Sequence, residues 1–211
     1  MTYSMNELHS LLQKAGVGAG FPPGHADAIA QAGIWLARRR FPVCDIVAKS
    51  FELGMTELRY VGIAGGVVFK DARAATSGLA ALELLLAKQV GFGVVLQDLD
   101  DPVLLLGLTG VAARAHNVAF NVSSAVPFYE ATWPGNVITD EFVSPIAGEL
   151  LMTRKENAHP ECGIRLASRY DPSAVADGGR NNLVNLAAKT YVPATDHSRI
   201  KGAGAGLTDN D

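Results

Sequence analysis

The sequence predicts a mixed α/β fold in which an N-terminal helical layer is followed by βαβαβ units, a late antiparallel strand pair, a C-terminal helix and an extended tail. Three observations carry that expectation. Apolar residues recur at three- and four-residue spacing as far as Phe51, Val- and Ile-rich runs alternate with helical patterns from Tyr60 to Val122, and a glycine-alternating arm follows Lys201. The expected boundaries are 1–56 for the helical layer, 57–192 for the mixed core and 193–211 for the tail, within one folding unit.

Ser4 with Glu7 three residues on forms a capping box, and Leu8, Leu11, Leu12 and Ala15 then mark one helical face until Gly16, Gly18 and Gly20 stop it. After the turn Phe21-Pro22-Pro23-Gly24, the residues Ala26, Ile29, Ala30, Gly33, Ile34 and Ala37 stack a second helix on the first through small side chains, with Trp35 at its margin. A third helix follows Pro42, carries Ile46, Val47, Ser50 and Phe51, and ends near Gly54.

From Tyr60 to Phe69 the Val and Ile content, with Gly62, Gly65 and Gly66 inside it, reads as one strand with a bulge or close backbone approach. Thr76 is expected to cap an Ala- and Leu-rich helix to about Lys88, and Val90 to Gln97 a buried strand. Asp100 or Asp101 caps the next helix, with Pro102 at its first position and His116 near its end, and Val118 to Val122 is again a strand. Strand and helix alternating in this way imply right-handed crossovers and a parallel core. Ser123 to Ser144 has no clear period and reads as a surface excursion, Gly148–Lys155 and Gly163–Tyr170 as an antiparallel pair, and Asp171-Pro172 as the start of a last helix to about Tyr191.

With 211 residues, 48% of them hydrophobic and only 18% charged, the chain can bury enough apolar surface to offset its lost entropy. A formal net charge of -3 argues against a nucleic-acid surface. Arg38-Arg39-Arg40 is the one basic run, and at a helix end it reads as a solvated, dipole-complementing terminus, with phosphate binding as the lesser alternative. Residues 1–7 show no basic segment leading into an apolar one, so a cytoplasmic address is expected. The apolar run Leu79–Leu86 is too short for a bilayer, and no membrane partner is expected. Cys44 and Cys162 lie in dissimilar contexts and read as reduced thiols.

Several constellations could carry chemistry. Asp98, Asp100 and Asp101 lie where a strand meets a helix, the edge at which open parallel sheets bind ligands, so they form a candidate pocket edge able to hold Mg²⁺ or act as a general base. Helix capping accounts for them more simply. Gly62-Ile63-Ala64-Gly65-Gly66 lacks the spacing of a dinucleotide loop and the lysine of a P-loop. His9, His25, His116, His159 and His197 show no zinc spacing, so no metal is assigned. His159-Pro160-Glu161-Cys162 groups an imidazole, a carboxylate and a thiol, and Thr195-Asp196-His197-Ser198-Arg199 contains the residue types of a catalytic triad. Adjacent residues do not converge as a triad must, and both read as loops or caps.

The tail is the sharpest chemical statement. Gly202 to Gly206 supplies reach without bulk, Leu207 an apolar anchor, and Asp209, Asn210 and Asp211 a polar head of the kind that backbone nests and arginine forks capture.

The residues Tyr3-Ser4-Met5-Asn6-Glu7, the segment ending Ala32-Gly33-Ile34-Trp35-Leu36, Tyr191-Val192-Pro193-Ala194-Thr195 with Ser198-Arg199, and the closing GAGAGLTDND resemble an uncharacterised bacterial family of about this length. The resemblance covers the whole chain. It implies a single full-length unit ending in this tail and brings no catalytic residues, and His197 departs from the family pattern. The first two helices also resemble the opening hairpin of malate/lactate-type dehydrogenases, with no matching cofactor site downstream.

The expected function is that of an accessory or binding protein of bacterial small-molecule metabolism. It would dock on a protein partner or a sister subunit through Arg199, Leu207, Asp209, Asn210 and Asp211, and a small-molecule ligand is also expected. The alternative is a small cytoplasmic enzyme, such as a hydrolase, acting on a carboxylate or amide at the Asp98–Asp101 edge with the tail as its lid. No catalytic residue or cofactor is assigned.

Overall fold

The computed structural model describes residues 4–39, 41–123, 127–132, 136–138, 148–155 and 177–191. Helix α1 (Met5–Gly18) begins at the expected capping box: the Ser4 hydroxyl accepts the Glu7 amide at 3.2 Å, and the Glu7 carboxylate accepts the Ser4 amide at 2.8 Å. The bond from the Ser4 amide, and then that of its hydroxyl, holds the Glu7 carboxyl below the usual range. The helix runs through Gly16 to Gly18 because both glycines serve packing. A Cβ at Gly16 would sit 2.8 Å from the Ala26 Cβ, and one at Gly18 would strike the Leu186 carbonyl.

Helix α2 (Pro23–Ala37) packs on α1, and α3 (Val43–Glu52) follows. Trp35 is not at the margin of α2. It is buried, 6% exposed, because α5 passes over it.

The segment expected as one bulged strand is a hairpin, β1 (Arg59–Ile63) and β2 (Gly66–Lys70), turning at Ala64-Gly65 with Gly65 at φ +76°. Only a residue tolerant of positive φ turns the chain this tightly. One turn of π-helix, Ala74–Gly78, then leads into α4 (Leu79–Ala87). Thr76 lies buried within that turn and is not its cap. The apolar run of α4 is the buried helix expected, with Leu79, Leu82 and Leu85 in the core.

Strand β3 (Gly93–Gln97), α5 (Pro102–His116) and β4 (Ala119–Ser123) follow as read from the sequence. Ser123 to Ser144 is not wholly irregular: β5 (Pro127–Thr132) and β6 (Asn136–Ile138) pair antiparallel within it. Strand β7 (Glu149–Lys155) and α6 (Asp177–Ala188) complete the described elements. The expected partner strand Gly163–Tyr170 and the expected helix start at Asp171 lie outside the described residues.

The seven strands form one mixed sheet in the order β1-β2-β3-β7-β4-β5-β6. Its core is not parallel throughout. Among the described strands only β2 and β3 pair in parallel; β7 lies between β3 and β4 and runs antiparallel to both, so that β4 keeps the direction of β3 without touching it. Leu150 and Met152 fit that central place, since both are fully buried and α4 contacts their strand. Their neighbour Leu151, on the other face, is exposed. Helices α4 and α5 contact the sheet, α2 packs on α5, and α1 and α3 join α6 outside them.

Candidate functional site

The acidic edge named from the sequence is occupied by backbone. Asp101 accepts the Val103 and Leu104 amides, each at 2.9 Å, and caps α5. Asp100 accepts the Ala74 amide at 2.8 Å, closing the start of the π-turn that leads into α4. Adjacent carboxylates thus cap two successive helices, which is the capping reading extended to a second helix. Asp98 is exposed at φ +51°, and its amide donates to the Gly148 carbonyl. Burial, reinforced by the charge of Asp100, raises the Asp101 carboxyl above its ordinary value near 3.8 against the pull of the Leu104 amide. The pKa is perturbed by a structural role.

A second place brings charged side chains together around open space. Helices α2 and α5 pack through Gly107 against Ala32 and Leu36 and Gly110 against Trp35, and between them and α1 lies a cleft of about 410 Å³ lined by His9, Gln31, Ile34, Trp35, Arg38, Arg39, Val111, Arg114 and Ala115. Among the described residues three arginines and no carboxylate line it. The floor is Trp35, which α5 can approach because residue 110 is glycine: a Cβ there would collide with the indole. Gly107 permits the same approach one turn earlier, where a Cβ would meet Leu36 at 2.9 Å.

Arg39 lies over the same indole. Its guanidinium carbon is 3.4 Å from the ring centroid, and its Nη1 donates to the Trp35 carbonyl at 3.0 Å. Stacking and this bond fix the guanidinium plane, as bidentate recognition of an oxyanion requires. Burial first, then the charges of Arg38 and Arg114, lowers its pKa to about 10, so Arg39 stays cationic at neutral pH under electrostatic load. Among the described residues no carboxylate lies within ion-pair distance of Arg38 or Arg114.

At the rim, Asp27 organises polar side chains from two helices. It receives Gln31 at 2.7 Å and Gln13 at 3.2 Å, and lies 3.4 Å from His9. A shallower groove of about 240 Å³ continues from Gln31, Val111 and Ala115 along α4, where Asp27 and Glu83 make its wall acidic.

The sequence reading of the arginine run as a solvated helix end therefore holds for the exposed Arg38 and fails for Arg39, which lies across Trp35. Arg40 lies outside the described residues. The signal missed was joint: a tryptophan at a helix end four residues before an arginine, with a second helix ending in Arg114-Ala115-His116. The other candidates separate. Gly62 and Gly65 belong to the β1–β2 hairpin, and Cys44 is a half-buried thiol whose pKa burial pushes up, with Asp45 adding to the rise. The tail residues Arg199, Leu207, Asp209, Asn210 and Asp211, the group His159–Cys162 and the group Thr195–Arg199 lie outside the described residues. Among the described residues no three His, Cys, Asp or Glu side chains gather as metal ligands, and no helix is long and apolar enough to cross a membrane.

No curated protein matches the chain. Residues 3–89, which hold α1 to α4 and the Trp35–Arg39 side of the cleft, match the family model described as Protein of unknown function (DUF3726), an uncharacterised family of the kind the sequence resembles.

Proposed function

We propose that this chain is a cytoplasmic accessory protein of bacterial metabolism that binds a small organic anion in the cleft between α1, α2 and α5, and that its tail is a docking element. One observation supports the reading above all: Arg38 and Arg114 line one cleft beside Arg39, and none of its described lining residues is a carboxylate. Like charges gathered on one surface repel, and an anion relieves that repulsion while accepting hydrogen bonds from the guanidiniums. The C-terminal ends of α2 and α5 offset part of the charge, which lets the cluster persist in the unliganded protein. Ile34, Val111 and Ala115 supply an apolar wall, so the ligand carries a short carbon skeleton besides its acidic group. At the Asp98–Asp101 edge, the site of the alternative reading, Asp100 Oδ1 and Asp101 Oδ1 accept helix amides.

The test is a titration of the full chain with citrate, succinate and inorganic phosphate. Trp35 emission is followed in a Trp133→Phe background, and calorimetry gives an independent measure. Saturable binding of at least one probe, weakened tenfold or more by Arg38→Gln with Arg114→Gln, is the expected result. No heat and no spectral change with any probe would overturn the reading.

A further inference from the structure

We infer that the anion of the cleft is one end of a two-ended ligand, an ω-amino acid whose carboxylate meets Arg38 and Arg114 and whose ammonium lies against Asp27 and Glu83 in the adjoining groove. This rests on the anion-binding reading above and names the class of ligand.

Two observations carry it. The first is continuity with a change of sign. The cleft of about 410 Å³ and the groove of about 240 Å³ share Gln31, Val111 and Ala115, so one molecule can lie in both. Among the described residues the cleft is lined by arginines and no carboxylate, and the groove by Asp27 and Glu83 and neither lysine nor arginine. Val111 and Ala115, common to the two, offer apolar surface on which methylenes pack, and Leu108 and Ala112 extend it within the groove.

The second is the charge balance at the acidic end. Glu83 is exposed and, among the described residues, has no ion-pair partner. Besides His9 at 3.4 Å, Asp27 is held by the neutral amides of Gln13 at 3.2 Å and Gln31 at 2.7 Å, which orient the carboxylate and leave its charge in place. An ammonium in the groove is attracted by both carboxylates, and a second acidic group there is repelled by both. The scale follows from α2. Asp27 and its end cap Arg38 stand eleven positions apart, about 16 Å along the helix axis, and the arginine side chain takes up part of that. The ionised ends of the ligand are therefore separated by several carbon atoms, and the adjacent charges of an α-amino acid do not span the two regions.

The test is calorimetric titration of the full chain with ε-aminocaproate, caproate and adipate, which share a six-carbon backbone and differ only at the far end. His9 and His116 also lie along this surface, so the buffer is held at about pH 8.5, above the range in which imidazoles ordinarily titrate and below that of an alkylamine. A half-exposed ion pair gives ε-aminocaproate about fivefold tighter binding than caproate. Glu83→Gln should remove most of that gain and leave caproate unchanged, and Glu83→Lys should reverse the order, with adipate now ahead of ε-aminocaproate. A merely structural role for Glu83 would not reverse a preference. Arg38→Gln with Arg114→Gln should weaken all three. Equal affinity for ε-aminocaproate and caproate, unmoved by the Glu83 substitutions in a chain that binds citrate, overturns the two-ended site and leaves the anion cleft standing. Absence of binding by citrate and by all three acids overturns both.

Discussion

Arg39 and Trp35 form a stacked pair across one helical turn, the guanidinium carbon 3.4 Å from the indole centroid and Nη1 bound to the tryptophan's own carbonyl. Trp35 lies in the last turn of α2 and Arg39 in the turn just beyond it, four positions on, which brings the two side chains together. What would otherwise be a mobile surface cation becomes a planar fork with a set orientation.

Replacing Arg39 by lysine keeps the charge and loses the plane. An ammonium cannot stack or present two parallel donors, so anion affinity should fall about tenfold while stability changes by less than about 1 kcal/mol. Probe titration beside urea unfolding separates the two. Equal losses in both would mean that Arg39 matters only for packing.

Gly110→Ala acts on the same pair from below. The new methyl would overlap the indole edge, with its nearest neighbours Cε2, Cζ2 and Nε1 of Trp35, and the ring has no room to yield within a buried position. Overpacking of this sort costs about 1–3 kcal/mol. Thermal unfolding should show the loss, and Trp35 emission should move even without ligand.

The Asp101 cap gives a pH signature. Asp101 titrates above its unfolded value, so between that value and the raised one the folded chain holds the extra proton. Stability therefore falls as pH rises through this interval and is level beyond it, with respect to this group. Asp101→Asn keeps a side-chain acceptor for the Val103 and Leu104 amides and removes the titration. Its stability curve should be flatter across the interval, whereas Asp101→Ala should lose about 0.5–2 kcal/mol of cap energy at neutral pH. Urea midpoints at closely spaced acidic pH values decide this.

At the junction of α1 and α6, Gly18→Ala places a methyl on the Leu186 carbonyl, a backbone group that cannot turn aside. The helices must separate, and α6 should loosen first because it holds α1 and α3 together. Faster amide exchange over residues 179–190 at unchanged rates in the sheet is the expected pattern. Uniform acceleration everywhere would mean that α6 does not open independently.

Where a single short stretch held all the information, reading and structure agree. The Ser4–Glu7 box, the Asp101-Pro102 helix start and the buried run of α4 depend on residues within one or two turns of each other. The departures occur where a distant segment intervenes. Thr76 looked like a cap, yet the amide of Ala74 is taken by Asp100, 26 positions away. The strand series looked parallel, yet β7 arrives later and occupies the gap between β3 and β4. Tyr60–Phe69 is a separate failure, since positive φ at Gly65 turned an apparent bulge into a hairpin.

By itself the sequence determined the helical opening, the positions of α2, α4 and α5, the mixed α/β class and the capping chemistry, because periodicity and side chain to backbone bonds are local. Only the tertiary structure decided that the cationic end of α2 meets Arg114 of α5 over a buried Trp35. That meeting depends on how near two helices can come, which Gly107 and Gly110 set by lacking a Cβ, and no property of either segment read alone contains that distance.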